Sequence, residues 1–182
     1  MSTAFPDAHK ALHIINLGLL LTMSVVGFMS WNGLPEQIPI HFRANGTADR
    51  FTHDKAELLI LFFIPWLLTA MMYGFAALVP WCRRNPRWVN IPNKTEFLAL
   101  PPEAQEPLWC MLSGFFYTLA TTINLVFFTL IYGTLQVATG QAIRLPAWSV
   151  WPAMLILFVT TIVQSIRMIA LPYRLTGKRG GS

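Results

Sequence analysis

The sequence predicts an all-α membrane protein, a bundle of four transmembrane helices with a structured outer loop between helices 1 and 2. Three observations predict it. Of the 182 residues, 54% are hydrophobic and only 12% are charged, whereas a soluble domain is usually about 25% charged. The apolar residues are gathered into long runs, as a bilayer core of about 30 Å requires of a spanning helix. The two long segments between runs are rich in proline and charge, which suits connections and not spans. The net charge of +5 speaks first to orientation and to anionic membrane lipid. No aromatic-basic pattern for nucleic acid is present, so no such partner is expected.

Taken in order, residues 1–10 form a short polar N-terminus with Lys10 as its only Lys or Arg. The first span is predicted over about 11–31, where Ala11 to Trp31 is interrupted only by His13, Asn16, Thr22, Ser24 and Ser30. Phe28-Met-Ser-Trp-Asn32 offers no good cleavage site, so the segment reads as a retained helix and not a signal peptide. Residues 32–57 form the outer loop. The second span covers about 58–81, which is 24 residues without a charge, or roughly 36 Å of helix. Asp54-Lys-Ala-Glu57 ahead of it reads as a capping box, with Asp54 on the first amides and Glu57 reaching back. Pro65 falls inside this span, as membrane helices tolerate. Ala70-Met-Met-Tyr-Gly74 is a small-xxx-small pair that would permit a close helix contact.

Residues 82–107 carry Arg83, Arg84, Arg87 and Lys94 among five prolines, Pro86, Pro92, Pro101, Pro102 and Pro107. Regular structure is broken repeatedly there, with room for a short helical piece around Thr95 to Leu100. The third span is placed at about 109–137, followed by a turn around Gly140, and the fourth at about 148–171. A basic tail, 173–182, ends the chain.

Lys and Arg fix the expected orientation. Lys10, Arg83, Arg84, Arg87, Lys94, Arg174, Lys178 and Arg179 fall on one side, and Arg43, Arg50, Lys55 and Arg144 on the other. The heavier side is cytoplasmic by the positive-inside rule, so both termini and the second loop are expected in the cytoplasm. Trp31, Trp148 and Trp151 would mark the outer interface, and Trp81 and Trp109 the inner one. Cys82 and Cys110 lack metal-type spacing and are expected to be reduced thiols.

Polar residues inside spans cannot be satisfied by lipid, so their faces should point inward. On the third helix Thr118, Thr121, Thr122, Thr129, Tyr132 and Gln136 share a stripe about 100° wide. On the fourth, Thr160, Gln164 and Arg167 share a face, although Arg167 lies near the cytoplasmic end and can snorkel. On the first, His13, Asn16, Ser24 and Gly27 do the same. These stripes read as hydrogen-bond glue between helices or as the wall of a polar path. No phosphate loop, His-Glu-x-x-His or Gly-x-Ser-x-Gly motif occurs, so no enzyme and no cofactor is expected.

The outer loop is the most specific stretch. It holds Glu36, Pro39, His41, Gly46, Asp49 and Arg50, which are the candidate binding residues, together with His53. Asn45-Gly46 is a turn signal, and a reversal there would bring Ile38 to Phe42 near Asp49 to Phe51. His41 and Asp49 would then hydrogen-bond across the fold. Glu36, His41, Asp49 and His53 offer metal-type donors, but their spacing matches no known site, and no metal is expected.

The stretch Leu34 to Phe51, with its Pro39-x-His41 step, Gly46, and Asp49 three residues on, resembles a bacterial membrane family of unknown function. That family is also found at the start of SdpI-type immunity proteins. Asn90-Ile-Pro-Asn-Lys94 followed by Phe97-Leu-Ala99 is similar to a stretch of some members. Asn90, Pro92, Asn93 and Lys94 are accordingly a candidate cytoplasmic contact. The resemblance implies a multi-pass inner-membrane protein and, in the SdpI branch, protection from a secreted toxic peptide. About four helices are expected here where SdpI-type proteins carry more, a departure that weakens the implied immunity role. The expected function is a non-enzymatic binding, sensor, immunity-like or accessory protein with a protein or peptide partner. A homo-oligomer or a place as subunit of a membrane complex fits that reading. The alternative is a small transporter or channel component using the polar stripes.

Overall fold

The computed structural model describes residues 4–177. Lys178, Arg179 and the last three residues lie outside the described residues, as does the side chain of Trp148. Helix α1 is Ala4–Ser30, ending in a 3-10 turn at Trp31–Gly33. Strands β1, Ile38–Phe42, and β2, Ala48–Thr52, follow, then α2, Lys55–Arg84. A 3-10 turn at Pro86–Trp88 and a short α3, Lys94–Leu98, lead to α4, Pro102–Ala138, and α5, Ala147–Leu175. Four of these helices, α1, α2, α4 and α5, are long and apolar enough to cross a membrane. The protein is therefore an all-α membrane bundle.

Helix α4 begins well before the expected residue 109. Pro101 and Pro102 cause this, because proline at the first helical position lacks only an N–H that would have no partner anyway. Pro107 stands inside the helix, so Pro101, Pro102 and Pro107 belong to a helix start. Pro86 and Pro92 do break the chain ahead of it, where only the 3-10 turn and the short α3 form. The capping box is half formed. Asp54 Oδ1 accepts from the Ala56 N–H at 2.8 Å, but the Asp54 N–H goes to Thr52 Oγ1 at 3.0 Å and does not await Glu57.

Helices α1 and α2 run antiparallel, since His13 meets Tyr73 while Ser24 meets Trp66. Helix α4 is central and packs on α1, α2 and α5. Two apolar clusters hold the bundle. One, at the hairpin end, joins Leu20, Met23, Leu34, Ile38, Leu58, Ile131 and Leu135. The other, at the opposite end, joins Val79, Ile91, Phe97, Leu108 and Trp109. Trp109 thus lies in the core at 3% exposure and does not mark a lipid interface. Trp88, exposed beneath the Arg87 guanidinium, stands at that end instead.

The Ala70–Gly74 pair makes no close contact within the chain. Both residues are exposed, and nothing lies within 4 Å of where a Gly74 Cβ would be. Close approach occurs at Gly27, whose missing side chain admits the Phe62 ring, and at Gly133, which admits Leu145.

Candidate functional site

The polar loop between α1 and α2 folds as an antiparallel hairpin. Ile38 pairs with Thr52, Pro39 with Phe51, His41 with Arg50 and Phe42 with Ala48, with irregular register around His41. Asn45 and Gly46 make the turn. Asn45 Oδ1 accepts from the Thr47 N–H at 3.1 Å, and Gly46 takes a φ of +84°, open to glycine at little cost.

The hairpin is fixed to the bundle at base and tip. Ile38, fully buried, enters the apolar cluster between α1, α2 and α4. At the tip, the Leu145 N–H donates to the Gly46 carbonyl at 2.8 Å. Leu145 fills the notch at Gly133 and ties the hairpin to the α4–α5 connection. At the base, Lys55 Nζ donates to the Trp31 carbonyl at 3.2 Å, where a cation suits the helix C-terminal end.

His41 and Asp49 meet across the strands. His41 Nδ1 donates to Asp49 Oδ1 at 2.6 Å, and Arg43 Nε donates to Asp49 Oδ2 at 3.3 Å. The hydrogen bond from His41 holds the Asp49 carboxyl below its ordinary range. Desolvation opposes this and Arg43 adds to it. A depressed carboxyl stabilises the folded hairpin above the unfolded-state value, and that stabilisation fades as pH falls through the lower folded-state value. Protection of the amides of residues 38–52, taken relative to the intrinsic exchange rate at each pH, should therefore fall below about pH 4, and Asp49→Asn should remove this dependence. Protection in the variant as acid-sensitive as in the parent would show that another group controls the hairpin.

Of the other loop residues, Glu36, Arg50 and His53 are exposed, whereas Pro39 is buried beneath the hairpin. Among the described residues no group of His, Cys, Asp and Glu could hold a metal ion. At the far end, Asn93 Nδ2 donates to Thr176 Oγ1 at 2.8 Å, and Lys94 Nζ donates to the Arg87 and Val89 carbonyls at 3.1 and 3.0 Å. Asn90 is exposed and Pro92 half-buried, on either side of buried Ile91. The Asn90–Lys94 stretch clamps its own loop to the end of α5.

The stripe on α1 joins helices as expected, through His13, Asn16 and Ser24, whereas the stripe on α4 does not. Thr118, Thr121, Thr122 and Thr129 all donate to carbonyls of their own helix, so they are not glue between helices. Thr118 and Thr122 face α5, where Thr160, Thr161 and Gln164 meet them across a seam with no room for water. Tyr132 is exposed, and so is Arg167, which does not point into the bundle.

The interhelical polar contacts lie on the other face of α4. Asn124, fully buried, donates to Asn16 Oδ1 and Thr69 Oγ1, both at 3.0 Å, and its Oδ1 accepts from the Thr69 hydroxyl at 3.1 Å. Asn16 donates to the Tyr73 hydroxyl at 3.4 Å and the Tyr117 carbonyl at 3.3 Å. His13 Nδ1 and the Tyr73 hydroxyl are hydrogen-bonded at 2.9 Å. Sequence reasoning had His13 and Asn16 but missed Thr69, Tyr73, Tyr117 and Asn124. The signal was there, since an asparagine inside an apolar span needs a polar partner.

Fold and site together define a helical membrane bundle carrying a docked hairpin. Residues 18–64, from the middle of α1 through the hairpin into α2, match a family described as a domain of unknown function (DUF1648). A relative from Archaeoglobus fulgidus, described as an uncharacterized protein, is 32% identical over 87 residues, or 47% of each chain. The chain thus spans about half the length of the curated relative it matches. No solved structure matches it.

Proposed function

We propose that this protein is a non-enzymatic recognition or accessory subunit of a bacterial inner membrane, presenting its hairpin outside to a protein or peptide partner. Both termini are cytoplasmic in this reading. A sensor or immunity-like role belongs to the same class. The observation that carries it is the docking of the hairpin at both base and tip, with Glu36, His41, Arg43 and Arg50 left on its exposed face. A fixed surface loses little conformational entropy on binding, whereas a plain tether needs no such anchoring. The dry seam between α4 and α5 supports recognition over transport.

The test uses one cysteine at Ala44, an exposed turn residue, in a background without Cys82 and Cys110. An impermeant thiol-specific photo-crosslinker, added to intact cells, should react there and not with a cysteine at Thr95. Illumination should give one discrete adduct. His41→Ala and Asp49→Ala should each reduce that adduct by roughly tenfold, and the double variant little further, because both remove one interaction. Labelling at Thr95 alone would reverse the orientation. An adduct unchanged in both single variants would end the recognition role of the hairpin.

A further inference from the structure

At the end opposite the hairpin, α1, α2 and α4 surround a cavity of about 580 Å³. Its rim carries Arg83, Arg84 and Glu106, just past the apolar run of α2 that stops at Trp81. That places the rim at the depth where lipid headgroups lie. Glu106 Oε2 is engaged by Arg83 Nη1 at 2.5 Å. Arg84 is exposed and has no ion pair or hydrogen-bond partner among the described residues. Among the described residues the rim therefore sets two cations, Arg83 and Arg84, against the one carboxylate of Glu106.

One wall of the cavity is apolar and small, formed by Ala76, Ala77, Val79 and Pro80. The cavity also runs deep. Glu106 at the rim and Tyr117 inside are eleven residues apart on α4, roughly 16 Å along a helix. A free phosphate needs only the rim. A slot with a cationic mouth, an apolar side and a length of about half the bilayer core fits an amphiphile with an anionic head.

We infer that this cavity seats one anionic phospholipid, its phosphate on the guanidinium groups of Arg84 and Arg83 and the start of an acyl chain along Ala76, Ala77, Val79 and Pro80. Glu106 orients Arg83 and repels a second anion, so the mouth suits one phosphate. Deeper in, Tyr117 and His9 stand edge to face at 5.3 Å and close the slot. This site is independent of the hairpin and of the orientation of the chain.

The test compares thermal unfolding of the whole protein in neutral detergent after adding phosphatidylglycerol, phosphatidylcholine or inorganic phosphate. Phosphatidylglycerol should stabilise clearly more than phosphatidylcholine, and inorganic phosphate should do nothing. Arg84→Gln should weaken the phosphatidylglycerol affinity about fivefold, the effect of one basic residue near a lipid surface. Ala77→Phe, which fills the slot from an exposed wall position, should abolish the difference between the two lipids. Arg144→Gln, near the hairpin end, should leave it intact. Equal stabilisation by both lipids, or an unchanged difference in Ala77→Phe, would overturn the inference. So would an equal effect of inorganic phosphate, which would make the rim a free-anion site.

Discussion

Gly46→Ala should destabilise the protein by about 3 kcal/mol or more, whereas Gly140→Ala should cost only about 1. Both glycines have positive φ, +84° and +73°, so any L side chain incurs strain of about 1–2 kcal/mol at either position. Only Gly46 is also crowded. A Cβ there would stand 2.1 Å from the Leu145 carbonyl oxygen, while nothing lies within 4 Å at Gly140. That oxygen is backbone and cannot rotate away. The α4–α5 connection must shift, losing the Leu145 to Gly46 hydrogen bond and lifting Leu145 from its notch at Gly133. Thermal unfolding in detergent measures the difference. Amide exchange should show where it acts, with fast exchange at residues 38–52 and slow exchange kept in the centres of α2 and α4. Equal losses at the two glycines would mean that backbone strain alone sets the cost and that the tip is not anchored.

The hairpin was legible in the sequence because its signals are local. Asn45-Gly46 specifies a turn whatever surrounds it, and the turn sets His41 opposite Asp49. The four apolar helices were legible for the same reason, from length and hydropathy alone. What the turn rests on was not legible. Leu145 lies about 100 residues further on, and no local pattern pairs it with Gly46. The threonine stripe misled for a different reason. Helix α4 is central and has two packed faces, separated by about 120° at 100° per residue. The threonines mark the face toward α5. Asn124 sits on the face toward α1 and α2, flanked there by Ala120, Phe128, Ile131 and Leu135, so no continuous polar stripe marks it. Trp109 misled similarly, because a tryptophan near the end of a span is more often interfacial than buried.

Asn124→Leu should then cost about 2–4 kcal/mol, and Thr121→Val less than about 0.5, although both remove one polar side chain from the same helix. The Thr121 hydroxyl bonds only the Tyr117 carbonyl of its own helix, so valine of the same shape loses little. Asn124 holds α1 and α2 at once. Its replacement strands Asn16 Oδ1 and the Thr69 hydroxyl in a dry interior, and interhelical bonds of this type are worth about 0.6–2 kcal/mol each. The cost lies in what is stranded, more than in the bonds themselves. Adding Asn16→Leu to Asn124→Leu should therefore recover part of the loss, because it removes one orphaned acceptor and leaves an apolar contact in its place. The Tyr73 hydroxyl keeps His13 as a partner in that variant, so no new orphan arises there. A double-mutant cycle on unfolding in detergent gives the coupling. Strictly additive losses would show that the two asparagines do not act as a pair. A stable Asn124→Leu single variant would show that α1, α2 and α4 are held by their apolar clusters alone.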